Sequence, residues 1–283
     1  MASFTNFATL SYNGGTTNSN IVTGEILEAL TAVKTAVSAN YSAGDRITYA
    51  LSLVNTGTAA ITDYTVTDNL GGYTVGANTV YPLAYNAGTV RYYINGVLQT
   101  PPTVTAGPPL TVTGLTVPAG GNAVLIYETT ATPVAPLATG SSITNTATIT
   151  GGGLTNPITA QATVETANSA ELSISKALSP TTVTENGQIT YTFVISNTGN
   201  TEATATGNVV VTDTFAPILR NIAVTYNGTA WTEGTNYTYN AATGVFTTLA
   251  GQITVPAASF TQNTDGTFTV TPGTATLVIT GTV

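Results

Sequence analysis

The chain has 283 residues, of which 13 are acidic and only 5 are basic, and it contains neither histidine nor cysteine. Such an acidic chain lacks the basic surface that nucleic-acid binding requires. Without imidazole or thiol groups it also has no soft-metal site, no histidine base and no cysteine nucleophile. We therefore expect no nucleic-acid partner, no metal and no cofactor. Only isolated Asp, Glu, Ser and Thr side chains remain as catalytic candidates, so we expect no enzymatic activity.

Short runs rich in Thr, Val, Ile and Tyr alternate with clusters of Gly, Asn and Pro along the chain. This pattern is typical of short β-strands joined by tight turns. Hydrophobic residues make up 42% of the chain, which is enough for packed cores although only 6% of the residues are charged. No apolar run is long enough to cross a bilayer, so we expect no membrane insertion. The sequence predicts an all-β protein.

The first predicted element is a β-hairpin within residues 1–28. Its segment FTNFATLSYNGGTTNSN (residues 4–20) resembles ITNTATITGGGLTNPIT (residues 143–159). Apolar and amide side chains alternate along both segments, so the same face of each predicted strand would point inward. The matching residues are Phe4, Asn6, Ala8 and Leu10 in the first segment and Ile143, Asn145, Ala147 and Ile149 in the second. Val22 and Ile26 on the return strand are predicted to join them in a subunit interface.

The next segment, GEILEALTAVK (residues 24–34), is the only helical candidate, because some of its apolar residues are four positions apart. We interpret it instead as a strand and a linker. Its equivalent, QATVETANSAELSISK (residues 161–176), joins two repeats.

Two copies of one pattern follow. Residues 44–57 match 186–199, residues 63–70 match 208–215, residues 94–97 resemble 226–229, and residues 122–131 match 274–283. Each copy reads as an Ig-like antiparallel β-sandwich, because short strands recur at intervals of about 8–12 residues between turn signals. The predicted domains cover residues 29–168 and 169–283. Residues 141–167 have no counterpart in the second copy, which is therefore predicted to lack its last two strands.

The motifs LSISKALSPTTVTENGQITYTFVISNTGN, VVVTDTF and ITNTATIT resemble the Ig-like repeat family known as domain of unknown function 11, which is common in bacterial surface proteins. The resemblance covers most of the chain, and three of the matching segments given above recur in order in both copies. Clostridial spore-appendage proteins look similar. The resemblance implies an extracellular protein on a spore or cell surface.

An incomplete sandwich exposes an unpaired strand edge and an apolar groove, both of which favour pairing with another chain. We expect the hairpin to fill the groove of a neighbouring subunit by strand addition. Residues 28–34 are the only linker between the hairpin and the first strand of the first sandwich. They reach ~24 Å when extended, which is shorter than a sandwich of roughly 30 Å. The predicted function is a structural subunit of a filament that polymerises head to tail with copies of itself, with an anchor or tip protein as a further possible partner.

Two alternatives remain open at this point. Residues 1–27 could be the remnant of an upstream repeat in a longer protein. The chain could also be a surface adhesin or binding module, an interpretation that rests on the family resemblance and the predicted exposed loops.

The chain has only two lysines, Lys34 and Lys176, at equivalent places in the two copies. Strand alternation places each lysine inward, together with Asp68 in the first copy and Asp213 in the second. Asn145 would complete the first cluster, and Asn6 of a neighbouring subunit would complete the second. One interpretation is a buried ion pair with the amide as a hydrogen-bond partner. The other is an isopeptide bond between Lys and Asn, as in the Gram-positive pilin-like domains that this arrangement resembles, with Asp moving the proton.

Overall fold

The structure, a computed structural model, describes residues 2–26 and 29–283. It consists of short antiparallel strands and one 3-10 turn, Ala205–Gly207, and the described ranges contain no α-helix. The all-β fold class is thus confirmed. The chain forms two compact units: unit 1 extends to Ala135 and adds Ser142–Glu165, and unit 2 comprises Pro136–Ser141 and Thr166–Val283. Among the described residues, no helix has the length and apolar character needed to span a bilayer.

The N-terminal hairpin contains four short strands: β1 (Ala2–Asn6), β2 (Thr9–Tyr12), β3 (Gly15–Asn18) and β4 (Val22–Ile26). β1 pairs with β4 and β2 pairs with β3. Asn13 and Gly14 form its turn with φ values of 44° and 81°. Two positive φ angles define a type I′ turn, for which Asn-Gly is the preferred sequence.

The hairpin is not regular along its whole length. Asn6 pairs with Val22, whereas Thr9 pairs with Asn18, so the return strand has one extra residue between these pairs. β1 therefore ends at Asn6, and Phe7 and Ala8 lie between β1 and β2 in the free hairpin. The alternation from Phe4 to Leu10 stays a prediction for the docked segment. Local side-chain hydrogen bonds hold this bulge, since the backbone N–H of Ala8 donates to the hydroxyl of Ser19 at 2.9 Å.

Unit 1 contributes fourteen further strands. They are β5 (Leu30–Ala36), β6 (Asn40–Tyr41), β7 (Arg46–Asn55), β8 (Ile61–Asp68), β9 (Tyr73–Val75), β10 (Asn78–Val80), β11 (Leu83–Tyr85), β12 (Arg91–Ile94), β13 (Val97–Leu98), β14 (Thr103–Thr105), β15 (Leu110–Val117), β16 (Asn122–Ala131), β17 (Ser142–Gly151) and β18 (Ile158–Thr166).

Two sheets of unit 1 enclose its core. One has the strand order β13-β12-β16-β7-β5, with β11 added to β16, and the other has the order β14-β15-β8-β17-β18-β6. Alternate side chains along β7 and β17 are buried between the sheets, as the period of two in a strand requires. β17 pairs with β8 and β18 pairs with β17, so this strand pair covers one side of the unit 1 core.

Unit 2 contains ten strands. They are β19 (Leu172–Ser179), β20 (Gln188–Asn197), β21 (Thr212–Thr214), β22 (Arg220–Tyr226), β23 (Thr229–Trp231), β24 (Tyr237–Asn240), β25 (Val245–Thr248), β26 (Ser259–Gln262), β27 (Phe268–Thr271) and β28 (Gly273–Thr282).

The sheet β19-β20-β28-β22-β23 repeats the order of its counterpart in unit 1, but the facing sheet contains only β21-β25-β24. β21 takes the place of β8. In the described part of the chain, β21 pairs with β25 along one edge, and no strand pairs with its other edge. Unit 2 thus has no equivalent of β17 and β18 among these residues.

This difference leaves one face of unit 2 uncovered, and we call it the open face. It consists of the free edge of β21 and the β19 side chains Leu172, Ile174, Lys176 and Leu178. Leu172 is 40% exposed, whereas its equivalent in unit 1, Leu30, is 4% exposed. The rest of the unit 2 core is closed around residues such as Phe193, Phe246 and Leu277.

Candidate functional site

Lys34 and Asp68 form an ion pair in the core of unit 1. Lys34 lies on β5 and Asp68 at the end of β8, so the two side chains come from opposite sheets. The Nζ atom of Lys34 donates to Oδ2 of Asp68 at 2.5 Å, and both side chains are buried, with exposures of 0% and 1%. The other carboxylate oxygen of Asp68 accepts a hydrogen bond from the backbone N–H of Leu70 at 3.0 Å. These contacts offset part of the cost of burying both charges.

Two tyrosine side chains enclose this ion pair. The rings of Tyr49 and Tyr127 stack with their centroids 5.8 Å apart. The Nζ atom of Lys34 lies 4.8 Å from the centroid of Tyr49 and 5.8 Å from that of Tyr127, which is cation–π geometry. The hydroxyl of Tyr127 donates to the same Asp68 oxygen that accepts from Lys34. Asp68 is thus the shared acceptor of the cluster.

Burial changes the protonation behaviour of the cluster. Desolvation lowers the pKa of Lys34 to about 8, although the negative charge of Asp68 and its hydrogen bond oppose the shift. Burial and the nearby Asp68 charge raise the pKa of Tyr127 well above its ordinary value, so its hydroxyl stays protonated and remains a donor. The neutral amine of Lys34 is therefore accessible close to neutral pH.

Asn145 brings a carboxamide into the same cluster. It lies on β17, where Ala147 pairs with Asp68, so Asn145 is two residues away on the inward face. Its side chain is fully buried. Burial raises the pKa of Tyr49 and of Tyr127, and Asn145 is near enough to both hydroxyls to oppose these upward shifts. Yet neither its oxygen nor its nitrogen makes a hydrogen bond of normal geometry with a described residue. A buried amide left in this state costs about 1–3 kcal/mol.

The predicted residues Lys34, Asp68 and Asn145 are therefore brought together. Sequence reasoning missed Tyr127, which completes this cluster. Its equivalent in the second copy is Ile279, as the pairing of Tyr127 with Tyr49 and of Ile279 with Tyr191 shows. Comparison of the two sequence copies therefore could not identify Tyr127 as a residue of the cluster. The signal that was present is a tyrosine hydroxyl on the inward face of β16, where Thr129 is the only other polar side chain.

Unit 2 repeats the pair without the amide. The Nζ atom of Lys176 donates to Asp213 and lies 4.4 Å from the ring centroid of Tyr191 and 5.4 Å from those of Phe193 and Phe215. The expectation that Lys176 is buried like Lys34 is wrong for the single chain: its side chain is 40% exposed, because it lies on the open face. Asp213 is 18% exposed.

Asn6 and the predicted interface residues Phe4, Ala8, Leu10 and Val22 are exposed on the N-terminal hairpin. The side chain of Ile26 lies outside the described residues. The ring of Phe4 packs across Gly24, its cross-strand partner, where an added Cβ would lie 2.4 Å from a ring atom. Further apolar side chains, which sequence reasoning did not select, are also exposed on the hairpin: Phe7, Tyr12 and Ile21.

Trp231 is the single tryptophan of the chain. It stacks on Tyr226 with the ring centroids 4.8 Å apart, and it packs against the unit 2 core. The described residues contain no group of three or more acidic side chains that could hold a metal ion.

Comparisons with family models and with curated proteins give no match for this chain. Among solved structures, it is similar to the N-terminal domain of the Streptococcus gordonii adhesin Sgo0707, at 14% identity over 47% of this chain and 31% of that chain, with a TM-score of 0.35. It is similar to the pilus backbone RrgB from Streptococcus pneumoniae, at 14% identity over 86% and 55% of the two chains, with a TM-score of 0.36.

A third similar structure is BcpA, the major pilin subunit of Bacillus cereus, at 14% identity over 96% of this chain and 73% of that chain, with a TM-score of 0.35. The chain spans less than two thirds of the first two structures. Likenesses at these identities and TM-scores do not bear on the function of this chain.

Proposed function

We propose that the chain is the structural subunit of an extracellular filament that assembles head to tail. In this proposal, the N-terminal hairpin of one subunit occupies the open face of unit 2 in the next. One observation carries it: β17 and β18 cover the Lys34–Asp68 pair in unit 1, whereas the equivalent pair in unit 2 is uncovered and a hairpin of matching sequence lies exposed.

The register of unit 1 predicts the register of the contact. Ala147 pairs with Asp68 on β8. Because Ala8 matches Ala147 and Asp213 matches Asp68, Ala8 of the hairpin would pair with Asp213 on the free edge of β21. The Phe7–Ala8 segment has to become regular strand for this pairing, so the bulge of the free hairpin would disappear on docking.

Burial of apolar surface would drive the contact. Phe4 and Leu10, which are 53% and 62% exposed, would take the buried places of Ile143 and Ile149. Each such side chain contributes about 1.5–3 kcal/mol on full burial. The hairpin would in turn cover Leu172 and Ile174 and provide backbone partners for β21, as in strand addition to a sheet edge.

Because the hairpin and the open face are different surfaces, a subunit that docks through one of them still presents the other, so the assembly keeps growing as an open filament unless it closes into a ring. The extracellular location rests on the resemblance of the repeats to bacterial surface repeats. An anchor or tip protein would need only one of the two surfaces.

Removal of residues 1–27 tests the proposal. The full chain should form linear filaments in negative-stain micrographs, and the shortened chain should sediment as a monomer. Normal polymerisation of the shortened chain would show that the hairpin is not the connector. Isolated two-lobed particles from the full chain, at all concentrations, would favour a binding module instead.

We further propose that unit 1 is closed by an amide bond between Nζ of Lys34 and Cγ of Asn145. The shared cluster, the lowered pKa of Lys34 and the unpartnered carboxamide support it. The amine displaces ammonia from the amide, so the intact mass of the chain should be ~17 Da below the sequence mass. The variant Asn145→Ala should show its full sequence mass. An unmodified mass for the native chain would leave only the ion pair.

A further inference from the structure

We infer that Lys176 of one subunit forms an amide bond with Asn6 of the next, so that the filament contact is covalent. The inference rests on the proposed function, because that function places Asn6 on the open face. It assigns Lys176 and Asp213 as a reactive site that is complete only when a second copy of the chain supplies the carboxamide.

The two clusters differ in one group. In unit 1, Lys34, Asp68 and Asn145 lie together in a closed core. In unit 2, the amine and the carboxylate are already hydrogen bonded, and three aromatic rings surround the amine. The place of Asn145 is vacant because no strand covers the open face among the described residues of unit 2. The hairpin register that pairs Ala8 with Asp213 would bring Asn6 to this place.

Docking would also change the reactivity of the amine. In the free subunit, the side chain of Lys176 is 40% exposed to water. In unit 1 the equivalent amine is fully buried, and desolvation favours its neutral form. The incoming hairpin would bury Lys176 in the same way. The bond would therefore form after docking and not before it.

The chemistry needs only the three side chains. The ammonium of Lys176 passes a proton to the carboxylate of Asp213, and the neutral amine attacks Cγ of Asn6 to form a new C–N bond. The leaving nitrogen gains the proton held by Asp213, and the freed carboxylate takes the second proton from the former amine nitrogen and passes it to the departing ammonia, which becomes ammonium. The original C–N bond of the carboxamide breaks as the ammonia departs, leaving a secondary amide. Nothing is oxidised or reduced.

The experiment is assembly of the full-length chain followed by boiling in detergent and electrophoresis. We expect a ladder of multimers, and a dimer mass ~17 Da below twice the monomer mass. Proteolysis should release one branched peptide that joins Lys176 to Asn6. Asn6→Ala should lose the ladder completely, and so should Lys176→Met. Because Asn6 is exposed in the free subunit, Asn6→Ala tests the bond without disturbing the core.

Thr5→Ala is the matched control, since it changes the neighbouring exposed residue of the same strand and should keep the ladder. Filaments that form in micrographs but dissolve to monomers of unchanged mass would overturn the covalent inference and leave the proposed function intact. A ladder that persists in Asn6→Ala would overturn it as well. Failure of the full chain to form filaments would instead contradict the proposed function.

Discussion

Lys34 shows what the burial of a single charged side chain costs and which contacts it requires. Its amine is fully buried, and Asp68 is its only charged contact among the described residues. Tyr49 and Tyr127 supply ring faces and no further charge. Transfer of an ammonium group into such a site is costly, and an ion pair offsets the cost only in part. The lowered pKa of Lys34 expresses what remains of this cost.

The pKa of Lys34 predicts a pH dependence in Asn145→Ala, where the amine cannot be consumed. Below pH 8 the folded and unfolded chains both hold the proton, and the cost of burying the charge is complete. Between pH about 8 and the ordinary lysine pKa of about 10.4, the unfolded chain binds more protons, so stability rises with pH. Urea unfolding at pH about 7.5 and about 9.0 should show this rise, because unfolded tyrosines, with an ordinary pKa of about 10, are still largely protonated over this range.

The double variant Asn145→Ala with Lys34→Met should lack this rise in stability with pH, because it has no buried amine to titrate. The native chain should lack it too, because an amide nitrogen does not titrate. The same rise in the native chain would mean that Lys34 is still a free amine, and it would contradict the bond to Asn145.

At the scale of elements, strand positions were predictable from alternation and turn residues, and Lys–Asp pairing was predictable because both lysines recur at one inward position. The apolar residues of 24–34 are spaced as in a helix, but Leu30–Ala36 is a strand, which agrees with the interpretation of this segment as a strand and a linker. The bulge near Ala8 was not predictable. It depends on a hydroxyl contact from Ser19, and hydroxyl and amide side chains of this kind compete locally with the regular ladder.

Neighbouring residues of β1 lie on opposite faces of the hairpin, so we expect substitutions at Phe4 and Thr5 to affect filament assembly differently. Phe4→Asp would place a charge at the position equivalent to buried Ile143, whereas Thr5→Asp would place one at the position equivalent to exposed Thr144. We expect Phe4→Asp to weaken assembly on the order of 100-fold, from the loss of about 3 kcal/mol of apolar burial. Thr5→Asp should assemble normally. Light scattering during assembly gives the comparison, and equal inhibition by both substitutions would contradict the predicted face.

At the scale of the whole molecule, the two units share one pattern but differ in how completely each buries its core. Unit 1 covers its lysine with its own strands, and unit 2 leaves the equivalent lysine exposed. Sequence comparison predicted this difference, because residues 141–167 match the N-terminal segment and nothing in the second copy. The extent of exposure could not be predicted, since it depends on how far the two sheets of unit 2 close without the missing pair.

A peptide of residues 2–28 should therefore stabilise unit 2 in a chain that lacks residues 1–27. A ligand that binds only the folded state adds about 2.7 kcal/mol at a hundred times its Kd. Calorimetry should show the unfolding transition of unit 2 moving to higher temperature while that of unit 1 stays in place. The same peptide with Phe4→Asp is the control. An unchanged transition with the native peptide would exclude unit 2 as its binding site.

The hairpin and the open face are different surfaces, so a filament built from them is polar, with two unlike ends. One terminus of the filament would carry an unused hairpin and the other an empty acceptor. A subunit arriving at the first terminus would bind through its acceptor, and one arriving at the second would bind through its hairpin. The two termini would therefore be chemically distinct, and a molecule that imitates only the hairpin would stop growth at one of them and leave the other active.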